Sequence, residues 1–128
     1  MLEHSIGPVS LREPIHEVEH GLGKGVTIHN DQHFGHYVRY AKLGLDVAYA
    51  PGPKGEGAFA ILTTSPRYRT RTGLGVGSSF AAVKSARGVR CYGIGECQHA
   101  ANGPHLPGTA FSFRDGKVWR VAIAVDFD

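Results

Sequence analysis

The stretch Gly73-Leu74-Gly75-Val76-Gly77-Ser78-Ser79-Phe80-Ala81-Ala82-Val83-Lys84-Ser85-Ala86-Arg87-Gly88 decides how the chain is read. Its glycines place a turn before Ser78 and Ser79, either of which can cap the orphan N–H groups at a helix start. Phe80, Val83 and Ala86 then fall on one side of a short helix. Gly88 supplies a left-handed stop. Shifted back by about sixty-five positions, the same pattern recurs over Ile6–Gly23. Leu11 answers Val76, Ile15 answers Phe80, Val18 answers Val83 and Gly23 answers Gly88. Strand-like sequence follows both copies. The expectation is one domain, residues 1–128, made of two tandem repeats at about 5–64 and 72–128.

In the first unit, Pro14 suits the opening turn of a helix. Glu13, Glu17 and Glu19 sit early, where the helix dipole favours negative charge, and Ile15, Val18 and Leu22 form the apolar stripe. Val26–Ile28 reads as a short strand running into a polar loop that carries His29, His33 and His36. Residues 37–43 read as a strand broken at Gly44. Leu45, Val47 and Tyr49 point one way and Asp46, Ala48 and Ala50 the other. A loop at 51–57 leads to a return strand at 58–64, with Phe59 and Ile61 on one face. Residues 65–72 link to the second helix. Beyond it lie a short strand at 89–92, a long loop at 93–107 and a strand at 109–114. Asp115-Gly116 signals a tight hairpin. Residues 117–128 form the longest strand, with Trp119, Val121, Ile123, Val125 and Phe127 alternating against Val118, Arg120, Ala122, Ala124 and Asp126.

The fold class expected is α+β, with one layer of helices on a continuous antiparallel sheet. Bulky side chains lie beneath the helices. Ala48, Ala50, Ala58, Ala60, Ala110, Ser112, Ala122 and Ala124 make an opposite face of small residues, either simply solvated or a docking surface.

A length of 128 residues is enough for one domain with its own core. No apolar run is long enough to span a bilayer as a helix. Met1-Leu2-Glu3-His4 has neither the basic nor the apolar region of a signal peptide. The net charge of +3 is too mild to imply nucleic acid, so none is expected as a partner. Eight histidines make the charge climb as they protonate on acidification. Cys91 and Cys97 are either two reduced thiols or a bridge worth roughly 2 kcal/mol by loop entropy, and the Gly-bearing loop between them favours the bridge. A bridge implies an oxidising compartment, secreted or cell envelope. Their spacing exceeds that of a Zn-binding cysteine pair, and there is no second pair.

Three stretches carry a family resemblance: Ile6-Gly7-Pro8-Val9-Ser10-Leu11; Leu45–Tyr49 with Thr63-Thr64-Ser65-Pro66-Arg67-Tyr68-Arg69-Thr70; and Thr72-Gly73-Leu74-Gly75-Val76-Gly77-Ser78-Ser79. Together they resemble small exported bacterial domains common in actinobacteria, in which a Gly-rich turn opens each helix and a hairpin follows. The fold these imply is similar to that of the β-lactamase inhibitor proteins and of the outer-membrane-assembly lipoproteins. The resemblance implies a bacterial, exported, inhibitor-like binding domain. It assigns no contact residue, because its motifs are turn chemistry.

Chemistry-bearing residues point two ways. His16 and His20 lie four apart on the first helix, so they project together, and with His29, His33 and His36 they are candidate ligands for Zn or Cu. The order His16-Glu17-Val18-Glu19-His20 has the H-E-x-x-H spacing of metalloproteases, but on a short, Gly-ended helix. Gly75-Val76-Gly77-Ser78 is neither a nucleophile elbow nor a phosphate loop, and no nucleophile stands beside Asp31, His33 or Asp46. Arg67, Arg69 and Arg71 alternate on what reads as an extended segment, so they share an edge, to grip an acidic partner or a nucleic-acid backbone or to discourage strand pairing. Tyr37, Tyr40, Arg67, Arg69 and Arg120 are the candidate binding residues. The leading expectation is a non-catalytic protein-binding or inhibitory module that uses the open sheet face and its loops. The alternative is a His-rich transition-metal-binding protein or metalloenzyme.

Overall fold

The computed structural model describes residues 4–31, 35–49, 57–100 and 108–125, with the backbone alone at 29–31 and 100. Strands β1 (Ser5–Ile6) and β2 (Val9–Ser10) pair as a small hairpin. They are followed by α1 (Ile15–Leu22), β3 (Val26–Asp31), β4 (Gly35–Tyr40), a 3-10 turn at Ala41–Leu43, β5 (Leu45–Tyr49) and β6 (Ala58–Thr63). Then come α2 (Phe80–Lys84), β7 (Val89–Tyr92), β8 (Glu96–Ala100), β9 (Gly108–Arg114) and β10 (Lys117–Ala124). Strands β3 to β10 form one antiparallel sheet in the order β3-β4-β5-β6-β10-β9-β8-β7. Strands β6 and β10 therefore meet in the middle, and β3 and β7 are the edges.

One sheet face builds the core. Leu45, Val47, Ile61, Phe111, Val121 and Ile123 are buried on it, as alternation predicts. They are roofed by Ile6 and Val9 of the hairpin, Val18 of α1 and Val83 of α2, with Tyr68, Leu74 and Val76 packed alongside.

The expected α+β layout, two tandem helix-plus-sheet repeats under one layer of helices, is corrected by this architecture. The protein is mostly β, 50% strand against 16% helix, with an eight-stranded sheet, a two-stranded sheet and two helices. The helices are too short to make a layer. Helix α1 has 8 residues and α2 has 5, and each fully buries one side chain, Val18 and Val83. Helix α1 begins at Pro14 without a side-chain cap and ends at Gly23, whose φ of 79° places it in the left-handed range. Helix α2 is capped as expected, with Ser79 Oγ accepting from the Ala82 N–H at 3.1 Å. It stops early, and Gly88 (φ 81°) shapes the turn before β7 instead of ending the helix.

Other differences are local. The β1–β2 hairpin lies where the sequence suggested only a turn and a helix. Strand β8 lies inside what was read as the 93–107 loop; among its residues Cys97 is the one that enters the core cluster, so the apolar pattern is faint. Strand β4 ends at Tyr40, and the chain turns through Gly44 (φ 67°).

Two register shifts move aromatics. Between Ala48 and Tyr49 the β5–β6 pairing slips, and Phe59 packs with Ala48, Ala60 and Ala124 while Ala58 joins the core. Between Val118 and Arg120 the β10–β9 pairing slips, so Val118 is the residue that enters the core, opposite Phe113. Trp119 is left out of the alternation expected for it. A bulge places two neighbours against one partner residue and resets every side chain beyond it. The Asp115-Gly116 turn forms as expected, both residues at positive φ (54° and 77°).

Candidate functional site

The sheet face opposite the core is read from register. One row crosses it through Arg39, Asp46, Leu62, Ala122, Ala110, Gln98 and Arg90. A second runs Tyr37, Ala48, Ala60, Ala124 and Gly108. A third runs Arg120, Ser112, Glu96 and Tyr92. Small residues thus form a central floor, with charged and aromatic side chains around it. The floor is not bare: Tyr37, Phe59 and Leu62 pack over it, and Ala48, Ala60 and Ala124 are buried. A one-layer sheet lets long side chains lie flat on their small neighbours, which removes apolar area from water without a second layer.

Cations dominate one side. The Arg39 guanidinium donates from Nε and Nη2 to the two carboxylate oxygens of Asp46 at 2.9 and 3.0 Å. This two-point bond holds the guanidinium pKa above its usual value. Across β6, the Arg120 and Arg114 guanidiniums sit 4.9 and 4.3 Å from the centre of the Trp119 ring. Both positive charges are held by one indole. The Arg120 Nε is buried and has no hydrogen-bond partner among the described protein atoms. A cavity of about 390 Å³ is lined by Arg39 and Arg120, together with Asp46, Leu62 and Thr63 among others. A buried guanidinium N–H without an acceptor is costly, and an incoming carboxylate offsets that cost with a charge-assisted bond.

The expected binding residues separate. Tyr37 and Arg120 lie on this face. Tyr40 is on the core side, its hydroxyl donating to the Gly23 carbonyl at 3.2 Å. Burial pushes its phenol pKa up, as it does more strongly for Tyr49. Arg67 is exposed in the turn after β6. Arg69 is exposed as well. It bridges to Gly75, and its guanidinium donates to the Gly73 and Val76 carbonyls at 2.8 and 3.4 Å, so it holds a turn together.

His16 and His20 are exposed on α1. His36 on β4 shares a 3.1 Å hydrogen bond with Thr27 Oγ1. His29 contributes its backbone to β3, and His33 lies outside the described residues. Among the described residues no group of three or more His, Cys, Asp or Glu is arranged to hold a metal ion. Cys91 and Cys97 are directly opposed on β7 and β8 and are joined by a disulfide. Among the described residues no helix is long and apolar enough to cross a membrane.

Two features of this face escaped sequence reasoning but left signals there. Arg39 and Asp46 are equidistant from the 42–43 turn, so a hairpin centred there pairs them. Arg114 and Trp119 flank the Asp115-Gly116 turn, but only the bulge after it puts the indole beside both arginines. Comparison of the chain with protein-family models, with curated proteins and with solved structures found no match. Nothing in those comparisons bears on the resemblance to the β-lactamase inhibitor proteins.

Proposed function

We propose that the protein is a non-catalytic binding or inhibitory module that engages an acidic patch of another protein with the open sheet face. The observation that carries this reading is the buried, unpartnered Arg120 Nε beside Arg39, Arg114 and Trp119. A partner carboxylate seated between Arg39 and Arg120 supplies the missing acceptor, and Tyr37 and Trp119 offer flat apolar area around it. Rigid aromatic and arginine anchors of this kind carry most of the energy at protein interfaces. The Cys91–Cys97 bridge supports an oxidising compartment, secreted or cell envelope, as the place of action. The test is capture from an exported-protein extract with four baits: wild type, Arg120→Glu, Tyr37→Ala, and Arg87→Glu beside α2 on the core side. A protein held by wild type and Arg87→Glu, but released by the other two variants and by salt, supports the reading. Equal retention by all four baits, or none at low salt, defeats it.

A second reading, a Zn- or Cu-binding protein or metalloenzyme, draws its support from His16 and His20, exposed one turn apart on α1. A metal bound there raises Tm in wild type by mass action, and less so in His16→Ala. An unchanged Tm at saturating Zn and Cu removes this reading.

A further inference from the structure

On the core side of the sheet, away from the proposed docking face, a cavity of about 520 Å³ opens between α2, the 70–74 turn and strands β7 to β9. Leu74, Val89 and Phe111 line it, with Ala82 and Ala86 of the helix and its C-terminal flank. Arg71, Arg87 and His99 line it as well, and no acidic residue does. Among the described residues neither arginine has an ion-pair or hydrogen-bond partner. The thiols near this end are consumed in the disulfide.

We infer that this cavity binds a small monocarboxylic acid with a compact apolar body, aromatic or branched, its carboxylate between Arg71 and Arg87 and its body against Leu74, Val89 and Phe111. The volume falls in the usual range for small-molecule sites, which are mostly apolar with a few convergent polar groups. The charge decides the class. Two unpaired guanidiniums above an apolar floor favour an anion over a cation or a neutral hydrocarbon, and guanidinium geometry suits the two oxygens of a carboxylate. The wall carrying His99 is set by Gly88, where a Cβ would lie 3.0 Å from the imidazole Nε2. A side chain at position 88 therefore displaces the ring. No bond is made or broken in the bound acid, so the site is one of recognition.

The test uses 3-phenylpropionate, its neutral amide, and acetate, each titrated by calorimetry and by thermal shift against the whole protein. The acid should bind and raise Tm. The amide lacks the charge and acetate lacks the apolar body, so each should bind at least about tenfold more weakly. Arg71→Gln with Arg87→Gln, both exposed and structurally uninvolved, should weaken the acid by about tenfold or more. Arg120→Glu on the opposite face should leave it unchanged, so this result stands or falls apart from the docking face. The inference is overturned if acid and amide bind alike, if acetate matches the acid, if the arginine pair is replaced without effect, or if millimolar acid gives neither heat nor a shift.

Discussion

The chain approaches its two helices by similar hydrogen bonds made with different residues. Before α1, the Arg12 N–H donates to the Ala58 carbonyl at 2.6 Å and the Glu13 carbonyl accepts from Ala58 at 2.9 Å. Before α2, Gly77 donates to Val118 at 2.8 Å and Ser78 accepts from Val118 at 2.9 Å. Each approach thus ties a turn to a strand and then drops one valine, Val18 or Val83, into the core. The residues at the tie differ. Arg12 holds a left-handed φ of 68° where Gly77 holds 98°. Helix α1 starts on Pro14 with no side-chain cap and runs 8 residues; α2 starts on a capping serine and runs 5. Capping therefore does not set helix length here. Length follows the apolar stripe: Ile15 and Leu22 pack on the core at both ends of α1, whereas at α2 only Phe80 and Val83 join the core cluster among the described residues. Packing, more than local propensity, supplies most helix stability in proteins.

The largest break in this comparison is expected at Gly57. A Cβ there runs into the Arg12 carbonyl, and the residue sits at φ 86°. Gly57→Ala should cost about 3 kcal/mol, read as a lower urea midpoint. Gly77→Ala, also at positive φ but with open space around its Cβ position, should cost less, about 1–2 kcal/mol. Ser79→Ala removes the α2 cap and should cost about 1 kcal/mol, whereas Pro14→Ala removes no cap bond. Arg12→Gly relieves a left-handed arginine but loosens the unfolded chain, so a gain of about 0.5 kcal/mol or less is expected. Thermal melts that rank the substitutions in another order would show that the two approaches are not tied alike.

The smallest effect, at strong alkalinity, separates the two halves of the core by their aromatics. Tyr40 and Tyr49 belong to β4 and β5, while Phe111 and Phe113 belong to β9. Burial raises both tyrosine pKa values above the ordinary 10.0. The folded protein keeps these phenols neutral, so their contribution is complete below that value and declines as pH rises past it. Stability should fall above about pH 10, and Tyr49→Phe should flatten the fall. A wild-type profile as flat as that of the variant would place the tyrosines in water.

Much of the sheet was legible because its central strands alternate cleanly. Leu45, Val47 and Tyr49 announced their side without ambiguity, and so did Val121 and Ile123. The edges were less so. Strand β8 offers Cys97 as its anchor in the core cluster, and its other residues read as loop. The hairpin β1–β2 is two residues on each side, too short for any period to show. The bulges at Phe59 and Trp119 leave no mark in local composition, because a register slip is decided by the partner strand. That is also why the candidate site was only half visible. Arg120 and Tyr37 could be named from chemistry, but the stacking of Arg114 and Arg120 on one indole follows from the bulge. Tyr40 looked like its neighbour Tyr37, and strand parity sends it to the other side. Periodicity marks the helices, yet their shortness is what makes the protein mostly β.

The central β6–β10 seam has a consequence for how the molecule is born. Ala60 pairs with Ala124 and Thr63 with Val121, so the strand at the sheet's middle waits for a segment synthesised much later. Until residues 117–124 leave the ribosome, β6 presents a bare row of amides and carbonyls, the kind of surface on which chains stick to one another. Closing that seam requires a contact between distant parts of the chain, which is slow in topologies of this kind. The protein should be most vulnerable to self-association during that interval, and least so once its interior strand has been delivered.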